Sequence, residues 1–347
     1  MNKNPKCPIC NKASIKYGTR KTKLKEIQIY LCKSCNKRFS STSHTFQQNK
    51  TYPIQTILKA ISLYNLGYNL NKVSDLLLSR TKLKIPISTI SSWIQQYKNI
   101  CTFSRLRKKA IKLYPPKKII KKQTLNHIQP YAFKYHKAKL NILIKENPQF
   151  KALKDYLKKI NSTNFPHHIF TYNKDNNPNK QRASQLKFNH LELKHIKKQN
   201  QANKLAKLAL NLASTNKQRH QSIQDFMLTN DSTSIAAEIP VYLTNWDAGY
   251  YRNQSRFSFQ LNNYQTPITG HIDLLQIRNS LIHILDYKPN AHQKQIQEQA
   301  VQQLTIYALA LSRKLNLELT HFKAAWFDEN NYFEFFPLHV VYEKRGG

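Results

Sequence analysis

The amino-acid sequence predicts a multidomain α+β protein in which small units precede a larger α/β core. Paired cysteines stand near the start, apolar residues recur at helical spacing after them, and branched apolar runs separated by turn residues lie towards the end. The chain has 347 residues, enough for two or three domains. We place boundaries at 1–46, 47–104, 105–180 and 181–347, the last at a stretch of turn-forming residues.

The first region contains two Cys-x-x-Cys pairs, Cys7 with Cys10 and Cys32 with Cys35, with 21 residues between them. Four thiolates at this spacing can complete a tetrahedral shell around Zn²⁺. A shell filled by protein leaves no open position for chemistry, so we interpret residues 1–46 as a structural zinc ribbon. A redox dithiol is the alternative, but it would need only one of the pairs.

Residues 47–104 are predicted to be a helix-turn-helix DNA-binding domain, in which residues 51–99 form three short helices. Thr51-Tyr52-Pro53 is typical of a helix start, and Gly67 ends the first helix. The third helix turns Ile90 and Trp93 inward, which leaves a polar outer face and N-terminus. These polar residues are Ser88, Thr89, Ser91, Ser92 and Gln95. The pattern is typical of the recognition helix of a helix-turn-helix, and a plain three-helix bundle with a polar face is the alternative.

Residues 105–180 are predicted to be a basic helical connector. Its first basic residues are Arg105, Arg107, Lys108 and Lys109. Further along, Tyr131, Phe133 and Tyr135 are interleaved with lysines, a mixture that could grip phosphates and stack exposed bases. A helical spacer with a solvated basic face is an equal alternative.

Charge divides the chain in two. Residues 1–220 hold 46 Lys and Arg against 6 Asp and Glu, a net of +40, whereas residues 221–347 hold 10 against 12, a net of −2. Such an excess predicts a polyanionic partner, and nucleic acid is the one we expect. The sequence has neither an export signal nor an apolar run long enough to cross a membrane. We therefore expect a cytoplasmic, nucleoid-associated protein with no membrane partner.

A β-hairpin is predicted between residues 273 and 286. Two apolar runs rich in branched residues flank Arg278-Asn279-Ser280, and a two-residue turn at Asn279-Ser280 would make the numbers of paired residues sum to 559. Asp273 would then face Asp286. Two half-buried carboxylates at that separation repel each other unless a cation lies between them, so the pair predicts a divalent metal site.

Strand alternation places Lys288 on the same face as Asp286. An ammonium there could orient an attacking water and offset charge that develops on a phosphate. A following helix, about residues 293–315, carries Gln303 and Tyr307 one turn apart on one face. Taken singly, each of these features is more often structural; together and in this order they favour a catalytic site.

The ordered set Gly270-x-x-Asp273, Asp286-x-Lys288 and Gln303-x-x-x-Tyr307 resembles the RecB-like branch of the PD-(D/E)XK nuclease superfamily, over roughly residues 181–347. The resemblance implies an α/β nuclease core with a central mixed sheet.

It also implies that Asp273, Asp286 and the carbonyl of Tyr287 hold Mg²⁺ or Mn²⁺, while Lys288 serves the attacking water. Glu238, on the preceding strand-like segment, resembles the family's additional acid. The family often has an upstream helix histidine as well. His190 and His195 lie in about the right region, but neither stands in a convincing motif, so we leave both out of the predicted site.

Residues 1–99 resemble the zinc-ribbon and helix-turn-helix DNA-binding region of insertion-sequence transposases. In that family a ribonuclease-H-like domain with three catalytic acids follows. Here residues 100–180 contain only Glu146, Asp155 and Asp175 as acids, in a basic stretch. The resemblance therefore implies DNA binding by residues 1–99, and we do not assign the catalytic activity of transposases to this chain.

The sequence as a whole predicts a metal-dependent deoxyribonuclease that cleaves DNA held by its N-terminal modules. An endonuclease is favoured, because a tethered DNA-binding module suits cleavage within or beside the bound site. Duplex DNA is the expected substrate, and RNA stays open. The alternative is a non-catalytic DNA-binding regulator, or a mobile-element accessory protein, that retains a nuclease fold. The oligomeric state is not decided, and a dimer is compatible with the sequence.

Overall fold

A computed structural model describes residues 4–21, 26–40, 51–171, 182–186, 196–255, 257 and 267–342. The chain divides into two compact units. One consists of Met1–Ile61 and Leu70–Trp93, and the other of Ser62–Asn69 and Ile94–Gly347. No helix of the described residues has the length and apolar character needed to cross a membrane.

The first unit begins with a three-stranded antiparallel sheet made of β1 (Ile15–Lys21), β2 (Glu26–Leu31) and β3 (Arg38–Ser40), in that order. The turns that carry the cysteine pairs are built alike. Asn11 and Asn36 each follow the second cysteine of a pair, and both take a left-handed φ, 57° and 53°. Asn tolerates this conformation better than most residues, which lets each chain segment fold back around its two thiols.

Three helices follow in the chain: α1 (Ile54–Asn65), α2 (Leu70–Thr81) and α3 (Ile87–Tyr97). The first and third helices each bury an apolar face, which on the third includes the predicted Ile90 and Trp93. The buried residues are Ile54, Ile57, Leu58, Ile61, Ile90, Trp93, Ile94 and Tyr97. Tyr52 packs edge-on against Trp93, with ring centroids 5.3 Å apart. The three predicted helices are therefore present, whereas their use in DNA binding stays a prediction.

The second unit contains the larger core. Its helices are α4 (Ser104–Leu113), α5 (Lys137–Glu146), α6 (Lys151–Lys159), α7 (Gln201–Ala209), α8 (Arg219–Asn230), α9 (Asn245–Ser255), α10 (Lys294–Leu315) and α11 (Pro337–Val341). Its strands are β4 (Ile120–His127), β5 (Gln129–His136), β6 (Ile196–Lys197), β7 (Ser234–Leu243), β8 (Ile268–Arg278), β9 (Leu281–Tyr287), β10 (Phe322–Phe327) and β11 (Tyr332–Phe335).

These strands form one eight-stranded sheet in the order β4-β5-β7-β8-β9-β10-β11-β6. It is a mixed sheet, as predicted, because β10 runs parallel to β9 while the central neighbours β7, β8 and β9 are antiparallel. The parallel pair needs a crossover, which the long helix α10 provides. α10 is thereby laid along the sheet beside the strands that carry the predicted acids.

The predicted helical connector at 105–180 differs from the structure. Residues 120–136 form the β4–β5 hairpin, and Lys134 and Tyr135 of β5 pair with Ala237 and Ala236 of β7. The hairpin is thus part of the central sheet. Leu125 and Phe133 bury their side chains in the core, which favours strands over the solvated helix that a lysine-rich composition suggests. Among the described residues of this stretch, the α-helices are α4, α5 and α6, and short 3₁₀ turns accompany them.

Candidate active site and metal centres

The β8–β9 hairpin has the predicted register. Leu274 pairs with Leu285, and the following pairs continue to Arg278 with Leu281, so the paired numbers sum to 559. Asn279 and Ser280 have φ angles of 52° and 55°, the positive pair that a two-residue type I′ turn requires. The next pair in this register is Asp273 with Asp286. The hairpin register is therefore the predicted one, and its continuation by one pair sets Asp273 opposite Asp286.

Asp273 sits among polar partners at this point. Its Oδ2 accepts a hydrogen bond of 3.1 Å from the backbone N–H of Tyr287 and lies 3.4 Å from Nδ1 of His220. Asp286 is more deeply buried, with 5% of its side chain exposed, and its Oδ2 lies 2.8 Å from the ammonium of Lys288. The protein thus holds the two acids beside each other and supplies a different cationic neighbour to each.

Their ionisation differs accordingly. Burial works to raise the pKa of Asp273, but the hydrogen bond and charge of His220 outweigh it and leave that pKa below its usual value. Burial raises the pKa of Asp286 to about 7; Lys288 opposes the shift, and the negative charge of Asp273 adds to it. One proton shared between two adjacent carboxyl groups is the usual state of such a pair without a cation.

Glu238 joins these acids from β7. The pairs Ala237 with Leu274 and Ile239 with Ile272 leave Glu238 and Asp273 opposite each other. Glu238 has a left-handed φ of 54°, an unusual conformation for a residue within a strand. Such strain is concentrated at functional sites. Burial, and then the charge of Asp273, raise the pKa of Glu238 to about 7.

His220 is a site residue that sequence reasoning missed. It is the second residue of α8, and its contact with Asp273 raises the pKa of the imidazole, although burial opposes this. One turn later on the same helix, Gln224 donates a 2.6 Å hydrogen bond to Glu238. The i, i+4 spacing of His220 and Gln224 was the available signal. His190 and His195, considered from the sequence, lie outside the described residues.

The predicted helix pair Gln303 and Tyr307 contacts the lysine. Lys288 donates a 3.0 Å hydrogen bond to Oε1 of Gln303, and Nε2 of Gln303 donates one of 2.8 Å to the Tyr307 hydroxyl. Burial works to lower the pKa of Lys288, but the charge of Asp286 outweighs it and the pKa is raised. The ammonium is therefore charged and fixed between a carboxylate and an amide.

Gly270 allows α10 to approach β8 this closely. A Cβ atom added to it would overlap the ring of Tyr307 and lie 2.9 Å from its hydroxyl oxygen. Space, and not backbone conformation, therefore requires glycine here. Gly270 begins the Gly-x-x-Asp pattern and Tyr307 ends the Gln-x-x-x-Tyr pattern. A side chain at position 270 would occupy the volume of the Tyr307 ring, so the second pattern explains the glycine of the first.

A cleft opens on these residues. One wall includes Glu238, Asp273, Gln303 and Tyr307, so the candidate site is accessible from it. Another part of its lining comes from elements that the sequence did not assign to the site, namely the β4–β5 hairpin, His271 of β8 and the short 3₁₀ turn Ala183–Gln185.

The acids suit a hard divalent cation. Carboxylate and carbonyl oxygens are the ligands that Mg²⁺ and Mn²⁺ prefer, and Glu238, Asp273 and Asp286 lie on three adjacent strands, where the charge of Asp273 helps to raise the pKa values of the other two. A cation among them would remove the repulsion that raises those values. The predicted carbonyl ligand, Tyr287, directly follows Asp286, and its backbone N–H is already engaged with Asp273.

The four cysteines form a separate cluster in the other unit. Cys7 and Cys35 have their sulfur atoms 3.5 Å apart, as do Cys10 and Cys32, and all four sulfurs lie within 4.8 Å of one another. Zn–S bonds of about 2.3 Å place the corners of a tetrahedron about 3.8 Å apart. The cluster therefore fits Zn²⁺. Burial favours the thiol form of Cys32, but backbone N–H groups nearby lower its pKa to about 6.

The residues predicted to contact DNA differ in accessibility. Thr89 and Ser91 are half-buried, and six are exposed: Ser88, Ser92, Gln95, Arg105, Lys108 and Lys109. Arg107 is engaged internally, since it donates hydrogen bonds of 2.6 and 2.9 Å to the carbonyls of Tyr64 and Tyr68. Its guanidinium therefore has a structural partner that the sequence did not predict.

Comparison with curated proteins gave no match, and comparison with solved structures gave none. Comparison with protein-family models gave one over about half of the chain. The matched stretch contains α7 to α10 and β6 to β10, and with them all the acids described above. Residues 168–333 match the model of the PD-(D/E)XK nuclease superfamily, and the mixed α/β sheet of this part of the chain fits that superfamily.

Proposed function

We propose that this protein is a divalent-metal-dependent deoxyribonuclease that hydrolyses phosphodiester bonds at the site formed by Asp273, Asp286, Glu238 and Lys288. The observation that carries the proposal is the placement of three acids on adjacent strands, with Asp286 paired to Lys288, within the part of the chain that matches a nuclease superfamily. We infer that the chain resembles the RecB-like branch in particular, because the Gln303 and Tyr307 pair accompanies these acids.

The side chains of the site have different roles in the proposed reaction. Asp273, Asp286 and Glu238 would hold Mg²⁺ or Mn²⁺, with the carbonyl of Tyr287. The cation, when bound, polarises the scissile phosphate and acidifies the attacking water. Lys288 orients that water and offsets negative charge that develops on the phosphate. Gln303 and Tyr307 are positioning residues, since Gln303 holds the ammonium of Lys288 and Tyr307 holds Gln303.

DNA is the proposed substrate because of the charge of the chain. The net of +40 lies in residues 1–220, and neutralisation of phosphates by such a surface releases counterions and drives binding. The exposed polar face of α3, with Ser88, Ser92 and Gln95, is the proposed recognition surface of a helix-turn-helix. We infer an endonuclease, in the cytoplasm with the nucleoid, in which zinc-ribbon and helical modules like those of transposases bring the duplex to the site.

His220 adds to the predicted set. Nδ1 of its imidazole lies 3.4 Å from Oδ2 of Asp273. Neutral imidazole is also a common metal ligand, so His220 can serve either as a fourth metal ligand or as a donor that orients Asp273. Both functions make it part of the reaction site.

The test is cleavage of circular and linear duplex DNA by the purified protein, with and without Mg²⁺. We expect linearisation of the circle in Mg²⁺, which an exonuclease could not produce, and none in its absence. An Asp286→Ala variant should bind the same DNA and leave it intact. A wild-type protein that binds DNA tightly and never cuts DNA or RNA with Mg²⁺ or Mn²⁺ would instead support a regulator that has kept the nuclease fold.

A further inference from the structure

Three histidines are joined in series beside the acids. Nε2 of His271 lies 2.8 Å from Nδ1 of His127, and Nε2 of His127 lies 2.9 Å from Nδ1 of His167. Nε2 of His167 lies 3.1 Å from the carbonyl oxygen of Ile160, which can only accept a hydrogen bond. In neutral rings, each Nε2 therefore donates and each following Nδ1 accepts, and all three tautomers are fixed.

This chain of hydrogen bonds holds His271 in one orientation. The ring of Tyr131 lies flat on it, with centroids 3.6 Å apart and planes 7° from parallel. On the other side of the chain, Phe170 stacks on His127 at 4.4 Å. The result is a rigid aromatic wall that projects from β8 and the β4–β5 hairpin, and none of its members belongs to the nuclease motif.

The wall lines the same cleft as the acids. His127, Tyr131, Phe170 and His271 face it together with Glu238 and Asp273. Arg182 contributes a cation to this lining.

The cleft lining also contains an exposed apolar residue, Ile128, with a strained backbone conformation. Ile128 lies in the tight turn between the paired residues His127 and Gln129, with 42% of it exposed and a φ of 60°. A β-branched residue in this conformation is a rare outlier, and such strain is concentrated at binding sites.

We infer that this aromatic wall is the binding site for an unpaired nucleobase of the strand whose phosphate lies at the acids. A base has two apolar faces that stack on aromatic rings, and the phosphate attached to it needs a cation, which Arg182 supplies. A base paired in a duplex could not reach the wall, so the strand must be single or locally opened at the cut. The inference rests on the proposed nuclease function and adds the state of its substrate.

Photochemical crosslinking tests the pocket without any cleavage. A thymidine oligonucleotide that carries one iodouracil is irradiated with the full-length protein in the absence of Mg²⁺, and the modified peptides are identified by mass spectrometry. We expect a crosslink at Tyr131 or His271 that is lost in Tyr131→Ala. It should persist in Tyr250→Ala, which removes a tyrosine that is 41% exposed on α9 and lies outside the cleft lining. Crosslinks confined to aromatic residues elsewhere would overturn the inference.

Kinetics supply the second measurement. Loss of one stacked base should lower kcat/KM for a single strand by about 5- to 150-fold in Tyr131→Ala, whereas Tyr131→Phe should stay within about twofold. If the wild-type protein cleaves DNA and Tyr131→Ala cleaves it at the same rate, the base pocket is refuted and the nuclease proposal is unaffected. A crosslink at Tyr131 in a wild-type protein that cleaves no nucleic acid would support the base pocket and refute the nuclease proposal.

Discussion

The four cysteines and the three acids are both suited to a divalent metal, but they are built in opposite ways. Cys7, Cys10, Cys32 and Cys35 come from two short turns of one small sheet, and they fill a tetrahedron completely. Glu238, Asp273 and Asp286 come from three adjacent strands of a large sheet, and Glu238 and Asp273 line an open cleft.

This difference indicates that the cysteine cluster serves folding and that the acid cluster serves the reaction. A complete shell of protein ligands stabilises the segment that wraps it and offers nothing to a substrate. An incomplete shell keeps positions for water and phosphate, and it leaves carboxylates that repel each other until a cation arrives. One cluster should therefore be needed for the fold of its region, whereas the other should be needed for turnover alone.

The largest expected effect comes from the acids. Asp273→Asn and Asp286→Asn should each lower the rate of DNA cleavage by roughly a thousandfold or more, because each removes a ligand of the reactive cation. Zinc content and DNA affinity should not change. Steady-state cleavage, elemental analysis and a binding isotherm measure the three quantities, with Asp155→Asn, an exposed acid of α6, as the control. Cleavage at the full rate by either variant would remove that residue from the site.

The cysteine cluster should show the opposite behaviour. Cys32→Ser should lose the zinc, unfold the small sheet and weaken DNA binding by about tenfold or more, because structural zinc supplies much of the folding free energy of such a region. Cleavage of a short oligonucleotide at saturating concentration should change little. Cys101→Ala, which alters a cysteine outside the cluster, is the matched control. A Cys32→Ser protein that still binds one zinc and DNA normally would contradict the assignment.

Lys288 should have a smaller effect than the acids, since it stabilises charge and holds no metal. Lys288→Ala should lower kcat by about a hundredfold with KM nearly unchanged, as expected for an interaction made in the transition state. Lys294→Ala, which removes an exposed lysine at the start of α10, should have no effect. A rise in KM alone would make Lys288 a binding residue.

The smallest effect is on stability. Burial raises the pKa values of Glu238 and Asp286 to about 7, so between about pH 4 and pH 7 the folded acids keep protons that the unfolded chain has released. Stability of the zinc-loaded protein without Mg²⁺ should therefore fall as the pH rises towards 7, by an amount on the order of 1 to 3 kcal/mol. Thermal unfolding at several pH values measures this, and Mg²⁺ should reduce the fall. Glu238→Gln should reduce it as well; an identical slope in that variant would show that Glu238 is ionised throughout.

Local sequence patterns predicted the parts of the site that are close together in the chain. The turn at Asn279 and Ser280 and the branched runs around it fix the register of β8 and β9, so the opposition of Asp273 and Asp286 follows from a few residues. The two Cys-x-x-Cys pairs likewise depend on residues that are close together in the chain. Both were predictable because the chemistry and the backbone geometry lie within one hairpin or one pair of turns.

Contacts between distant segments were not predictable in the same way. His220 is 53 positions before Asp273, and the i, i+4 spacing of His220 and Gln224 does not by itself show that this face of α8 meets the acids. The β4–β5 hairpin was interpreted as part of a basic helical connector because its outer residues are lysines. Its pairing with β7 and the burial of Phe133 overcome that local composition.

The two-residue turn between β8 and β9 fixes a distance as well as a register. Its first residue, Asn279, is six positions from Asp273, roughly 20 Å along the strand. One residue inserted there would nevertheless shift β9 by one position and send the carboxylate of Asp286 to the opposite face of the sheet. Surface turns usually tolerate changes in length, but this one should not. A library of insertions along the chain should therefore show an intolerant point at a solvent-exposed tip, remote from the residues whose alignment it controls.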